Sequence, residues 1–370
     1  MNSADPEIKE RLSHAVDAVR FDVEERLRIV HQRSSARVRA RRVATVALAA
    51  LIALGAVAAA WLLLPLRREA DRAGEGAPAG KIAYTRLTVE GEKLNYDVYV
   101  ANADGSDVSP LITGPDAAYA PTWSPDGTRM ALIARAADAT SLELRVINAD
   151  GSGARSIIDG PPPVEDTAPA WSPDRSRIAF IANEGLEGKA LWTVGADGSG
   201  AHRVLRGDWR QVGWSPDGTK LAVAGSGDRP DYGLYVVGAD GRGLTRLVEF
   251  DKSVAFPSWS PDGTRIAVMV QDPADEFDYM WDIYVVNADG TGLTPLTGWE
   301  GLDGFPVWSP DGRWIVFCSD RDAIAEELRQ NRAGESWFGA SLYLMRPDGS
   351  GVHRIVDAQG TTICPTSWVR

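Results

Sequence analysis

Three observations in the sequence predict an all-β fold, a six-bladed β-propeller closed by its own C-terminal strand. The phrase W-S-P-D recurs five times, and its aspartates, Asp126, Asp174, Asp217, Asp262 and Asp311, stand 48, 43, 45 and 49 residues apart. After each copy come an apolar run and then a second phrase, A-D-G or P-D-G, with an extra early copy in VANADGSD (100–107). Periods of 40–50 residues with several short strands per unit indicate a propeller. The third observation is at the ends. GKIAYTR (80–86) matches the run after S-P-D, so the ring begins at a second strand; TTICPTSWVR (361–370) has the Pro and Trp of a first strand and stops there. The last strand is therefore expected to complete the first blade, which leaves no sheet edge open.

Four segments follow in order. Residues 1–42 are expected to be a cytoplasmic helical segment. In DPEIKERLSHAVDAVRFDVEERLRIV, Asp5 caps a helix, Pro6 takes its first position, and Ile8, Leu12, Val16, Val19, Val23, Leu27 and Val30 share one stripe. The plain reading is an amphipathic helix on the inner leaflet or self-associating; the sharper one is a docking helix for a cytoplasmic partner. Residues 43–66 contain no charge over 24 residues, enough to cross a hydrocarbon core ~30 Å thick. The flank at 33–42 has five arginines and no acid, whereas 67–76 dilutes three arginines with Glu69, Asp71 and Glu75. The positive-inside rule then puts the N-terminus in the cytoplasm and the body outside, as a single-pass protein of the cell membrane. Residues 67–79 read as a flexible linker, and 80–370 as the propeller.

Each repeat supplies four strands, a to d. Strand a ends at the tryptophan, b is the apolar run after S-P-D-G, c precedes A-D-G and d follows it. In S-P-D-G the proline presets φ, Asp suits the next turn position, and Gly takes the left-handed conformation of a bulged hairpin. Serine hydroxyl and aspartate carboxylate both bond nearby backbone N–H groups, a structural role for all five aspartates. Arg175 replaces the glycine in one copy and should cost about 1–2 kcal/mol there.

The net charge is −12. Residues 1–42 hold ten Lys/Arg against seven Asp/Glu, so the remainder carries about −15, which argues against nucleic acid as a partner. The two cysteines, Cys318 and Cys364, read as buried free thiols, with a structural pair as the alternative.

These phrases resemble the TolB-type, WD40-like β-propeller repeat over roughly 80–370. The resemblance implies a six-bladed ring used mainly for binding. The repeat type serves exported adaptors, free-standing propellers and the propeller halves of serine peptidases, so it does not imply an activity. Against the family's exported adaptors, this chain is expected to carry a membrane anchor and a cytoplasmic helix in place of a further small domain.

Little in the chain suggests catalysis. There is no G-x-S-x-G, and the two ring histidines, His202 and His353, occupy one repeat slot in opposite blades, where they cannot converge. S-P-D-G differs in spacing from a sialidase Asp box. No enzyme, cofactor or metal is expected, with a propeller hydrolase or lyase as the residual enzymatic reading. In QDPADEFDYMWD (271–282), Asp272, Asp275 and Asp278 could offer oxygens to Ca²⁺; a solvated acidic loop is the plainer reading.

Binding is expected where the repetition breaks, on the face of the b–c and d–a connections. The b–c connection of the sixth blade, DRDAIAEELRQNRAGESWFGA (320–340), is expected to expose Trp337 and Phe338 beside Asp275 and Asp278 of the fifth. The d–a connections should bring Tyr119, Trp209, Phe256, Trp299 and Phe305 toward the central funnel. Aromatics with acidic neighbours suit a protein, a peptide or a glycan; the alternative for each aromatic is a plug between blades. The leading expectation is a membrane-anchored, non-catalytic binding platform outside the cytoplasm. The alternative is a transmembrane sensor that couples ligand binding to a cytoplasmic regulator.

Overall fold

The structure, a computed structural model, describes residues 78–370 apart from 91–92, 115–117, 136–141, 159–163, 165–166, 228–231, 273–279, 299–300, 323–338 and 360. The helix expected over 5–30, the span over 43–66 and the linker up to residue 77 lie outside the described residues. Among those described, no helix is long and apolar enough to cross a membrane.

Residues 78–370 form six four-stranded antiparallel sheets. Blade 1 holds β1 (Lys81–Glu90), β2 (Lys93–Asn102) and β3 (Ser109–Ile112), and its inner strand is β24 (Thr362–Val369) from the far end of the chain. Blade 2 is β4 (Ala118–Trp123) to β7 (Arg155–Ser156), and blade 3 is β8 (Ala170–Trp171) to β11 (His202–Arg206). Blade 4 is β12 (Asp208–Trp214) to β15 (Thr245–Phe250), and blade 5 is β16 (Val254–Trp259) to β19 (Thr294–Pro295). Blade 6 runs from β20 (Asp303–Trp308) to β23 (His353–Val356). β24 pairs with β1 from Lys81↔Val369 to Leu87↔Thr362, which is the expected closure.

The core is six cores, one at each blade–blade interface. Second strands are buried on both faces, so they read as unbroken apolar runs rather than alternating ones. In β17 (Arg265–Gln271), Ile266 and Val268 pack toward blade 4 and Ala267 toward blade 6. Likewise Ile82 and Tyr84 face blade 6 while Ala83 faces blade 2.

The turn phrases do two jobs. Within a blade, Ser260 donates its hydroxyl to Asp262 (2.6 Å), Asp262 accepts the Thr264 N–H (3.0 Å), and Ser260 Oγ accepts the Arg265 N–H (2.9 Å). The same pattern recurs at Asp126, Asp174, Asp217 and Asp311. Between blades, the glycine of each A-D-G or P-D-G turn abuts the outer strand of the preceding blade. A Cβ on Gly290 would stand 2.8 Å from the Leu247 carbonyl oxygen, one on Gly349 2.6 Å from that of Leu296, and one on Gly105 2.1 Å from that of Ile355 across the closure. Arginines just after S-P-D-G reach the next blade too: the guanidinium carbon of Arg129 sits 4.9 Å from the Trp171 ring centroid, and that of Arg265 4.9 Å from Trp308.

One expectation is corrected. Cys318 and Cys364 are not free thiols: they form a disulfide, with Cα atoms 5.0 Å apart. The bond joins blade 6 to the returning strand of blade 1, a proximity that exists only once the ring has closed.

Candidate functional site

The strand-a segments line a central cavity of about 510 Å³. Its lining extends to the prolines of all five S-P-D turns and to Arg370, so it reaches the turn side of the disk. Among the described residues, Arg370 is the only Arg, Lys, Asp, Glu or His in that lining.

Local backbone geometry sets what faces the cavity. Ala120, Phe256 and Phe305 occupy the same repeat position, three residues before the tryptophan, with φ of +52°, +53° and +57°. Pairing skips there in each case, between Tyr119 and Thr122, Ala255 and Ser258, and Gly304 and Val307. A non-glycine residue held so costs on the order of 1–3 kcal/mol. Glycine would relieve that cost, yet two of the three positions hold phenylalanine. Phe256 and Phe305 lie side by side on the cavity wall with ring centroids 4.0 Å apart.

The equivalent residue in blade 4 is Gln211, which also lines the cavity and is 6 % exposed. Its side chain has no hydrogen-bond partner among the described residues. The indole N–H groups of Trp123, Trp259 and Trp308 are also unpartnered but fully enclosed; the Gln211 carboxamide is not sealed in this way. Aligning the repeats on their tryptophans, which gives Ala120, Ala168, Gln211, Phe256 and Phe305, would have exposed this position from sequence.

The sequence-predicted residues divide into three groups. Phe256 and Phe305 reach the central cavity. Tyr119 and Trp209 do not line it: Tyr119 is buried against Tyr96, ring centroids 5.2 Å apart, and Trp209 is 1 % exposed and edge-on to Tyr235 at 5.3 Å. Both plug gaps in the core, and Gly207 and Gly227 make room for the Trp209 indole. Asp275, Asp278, Trp299, Trp337 and Phe338 lie outside the described residues.

The stem of the blade 6 b–c connection is tied by polar contacts. Arg321 donates to both oxygens of the fully buried Asp303 (2.8 and 2.9 Å), and its guanidinium carbon lies 5.5 Å from the Phe317 ring and 5.0 Å from that of Tyr343. Burial pushes the Asp303 carboxyl up against the pull of Arg321. Asp322 accepts from the Tyr343 hydroxyl (2.5 Å) and from Arg354 (2.7 Å). In blade 3 the b–c turn presents a fully exposed Leu186, which sequence reasoning missed. The preceding residue but one, Glu184, anchors that turn through Trp192 (3.0 Å) and Arg203 (2.8 Å).

The five S-P-D aspartates are held below the ordinary carboxylate range. At Asp126, Asp174, Asp217 and Asp262 the serine hydroxyl is the largest cause; at Asp311 partial burial is the largest influence and pushes up, and the Ser309 hydroxyl, the Arg313 N–H and the Arg313 charge together outweigh it. A general acid at neutral pH needs the opposite shift. His202 and His353 bond to Gly200 and Gly351 carbonyls within their own turns, in blades 3 and 6. Among the described residues, no three His, Cys, Asp or Glu side chains are grouped to hold a metal.

The comparisons agree with this architecture. Residues 213–336 match the family model described as PD40, TolB beta propeller domain. The Tol-Pal system protein TolB of Methylococcus capsulatus is 36% identical over 58 residues, which is 16% of this chain and 14% of that protein. Among solved structures, TolB from Acinetobacter baumannii superposes with a TM-score of 0.60 at 18% identity, over 82% of this chain and 70% of that one. A putative TolB from Agrobacterium tumefaciens gives 0.58 at 20%, over 78% and 99%. The hydrazine synthase of Kuenenia stuttgartiensis gives 0.55 at 12% identity, over 79% and 47%. Residues 78–370 are thus a six-bladed β-propeller of TolB-like build, with the PD40 match over residues 213–336.

Proposed function

We propose that this chain is a non-catalytic binding platform, held outside the cytoplasm by residues 43–66 and engaging a protein partner on the face of its b–c connections. The observation that carries the reading is the stem of the sixth blade's connection. There the Asp303–Arg321 pair, the Phe317 and Tyr343 rings and the Asp322–Arg354 contact hold both sides of the longest break in the repeat. Long insertions on rigid scaffolds are where propellers carry recognition, because the frame bears the ordering cost and the insertion supplies the specificity. The Cys318–Cys364 disulfide supports placement in an oxidising compartment. The TolB likeness supports a binding role over turnover.

The test uses the full chain in mild detergent. Affinity capture should recover one or more envelope proteins, and Trp337→Ala with Phe338→Ala should lose them while Arg242→Ser, in an exposed c–d turn on the other face, leaves recovery intact. Equal recovery by the double variant would sink the face assignment. A C-terminal alkaline phosphatase fusion should be active; an inactive fusion beside an active cytoplasmic reporter would sink the topology.

A further inference from the structure

The central cavity is lined unevenly at the position three residues before each tryptophan, with Pro365 there in blade 1. Blades 4, 5 and 6 place Gln211, Phe256 and Phe305 at one repeat position, whereas blades 2 and 3 place alanine there. Core packing accounts for part of each ring, since Phe256 and Phe305 both pack against the cluster shared by blades 5, 6 and 1, but it does not require them. Alanine satisfies the position in two blades, and at Phe256 and Phe305 the backbone conformation favours glycine. Gln211 adds an independent sign: a carboxamide 6 % exposed, without a protein partner among the described residues, lining the cavity. Buried polar groups are almost always paired, so one kept unpaired at a cavity wall is available to a ligand or to water.

We infer that this wall binds a small neutral ligand carrying one amide group on an apolar body. A carboxamide offers a donor and an acceptor in one plane, which another amide meets with an acceptor and a donor. A carboxylate would face the Gln211 oxygen, and an ammonium its NH₂. The phenylalanine pair takes the apolar body. The lining is otherwise neutral: Arg370 is the one charged side chain bordering the cavity among the described residues, and no acidic side chain is there to pair with an ammonium.

The inner strand edges argue against an extended peptide added as a further strand. Ser367 Oγ accepts the Trp123 N–H (3.0 Å), and Ser258 Oγ accepts that of Trp308 (3.3 Å). The Trp171 and Trp214 indoles donate to the carbonyls of Thr122 and Ala170, each at 3.1 Å. Prolines at 121, 169, 257 and 306 remove further donors. Each blade thus caps part of the next one's edge, and recognition falls to side chains.

The inference goes beyond the partner-binding reading and is tested separately from it. The full chain in nanodiscs, with empty nanodiscs as the blank, is titrated with 3-phenylpropanamide by saturation-transfer NMR. Its isosteres 3-phenylpropanoate and 3-phenylpropylamine, together with N-acetylglucosamine and a capped hexapeptide, are run alongside. The amide should bind at least about tenfold more tightly than either charged isostere, the effect of one well-made polar contact. Gln211→Leu and the near-isosteric Gln211→Glu should each lose a similar factor, and Phe305→Ala should weaken binding without changing the order of the probes. Trp337→Ala should leave the titration unchanged. No saturable binding of the amide, equal affinity for the charged isosteres, tighter binding of the sugar or hexapeptide, or full binding by a folded Gln211→Glu would each overturn the assignment.

Discussion

Arg175→Gly isolates the cost of a single turn residue. Arg175 stands where four other S-P-D turns have glycine, and its φ is +66° against +69° to +72° for those glycines. A side chain in this region costs about 1–2 kcal/mol, while glycine gives back roughly 0.5–1 kcal/mol through the freedom of the unfolded chain. From sequence alone the substitution should simply stabilise. The structure adds an opposing contribution: Arg175 bonds Asp126 of the preceding blade at 2.9 Å, with the side chains 54% and 30% exposed. A pair so open to solvent is worth about 0.2–1 kcal/mol, less in salt. Arg175→Gly should therefore fall within about 0.5 kcal/mol of the parent at low ionic strength. Arg175→Ala loses the same pair but keeps the strained backbone, so it should be less stable than the glycine variant by about 1 kcal/mol, or roughly 2 °C in melting temperature. The assay is differential scanning calorimetry of the three proteins at about 20 mM and 500 mM salt, with the parent losing its relative advantage at the higher. An alanine variant as stable as the glycine variant would refute the strain assignment. Insensitivity of the parent–glycine difference to salt would refute the pair.

Other substitutions test other parts of the frame. Gly290→Ala combines a φ of +87° with a Cβ 2.8 Å from the Leu247 carbonyl oxygen; it should destabilise by roughly 2–4 kcal/mol in urea unfolding, and a loss under about 1 kcal/mol would contradict the interlock. Trp209→Ala should cost roughly 3–5 kcal/mol as a core truncation, whereas an exposed ligand-binding aromatic would cost little. Reducing Cys318–Cys364, or replacing both with alanine, should lower stability by roughly 2–4 kcal/mol for a bridge across a separation of 46 residues, read as the melting point with and without reductant. The depressed pKa values of the S-P-D aspartates contribute stability above the unfolded carboxylate pKa of about 3.9, lost as pH falls through the lower folded values. Their contribution should therefore be constant between pH 5 and 8, leaving melting temperature without pH dependence from these groups there, and should be lost below about pH 4; the same decline in a variant with all five replaced by asparagine would exclude them as its source.

What was legible in the sequence was whatever the repeat states more than once. Blade count, strand order and closure follow from W-S-P-D, A-D-G and the unmatched strands at the two ends, and β24 beside β1 confirms them. The role of Asp262 and its four counterparts was legible for the same reason. Their bonds are local, two to five residues along the chain, and local chemistry can be read without the fold. Contacts between blades were illegible, because they join residues about one repeat apart: the glycine of A-D-G against the previous outer strand, Arg129 on Trp171, Arg175 on Asp126. The disulfide failed for that reason too, since Cys318 and Cys364 meet only across the closure. The candidate site lies between these cases. Aromatic character suggested Tyr119, Trp209, Phe256 and Phe305 alike, and it could not separate core plugs from cavity walls. What separates them is place in the repeat: Phe256 and Phe305 stand three residues before the tryptophan, Tyr119 four and Trp209 five, and Trp209 fills space left by Gly207 and Gly227. Gln211 was missed because a polar residue within a strand reads as solvent-facing, and only the ring turns that direction into an interior. In a repeat fold, the residues to examine first are those that depart from the repeat at a position whose neighbours around the axis depart as well. By that criterion Gln211, Phe256 and Phe305 form a single feature, made by three blades together and encoded by none of them alone.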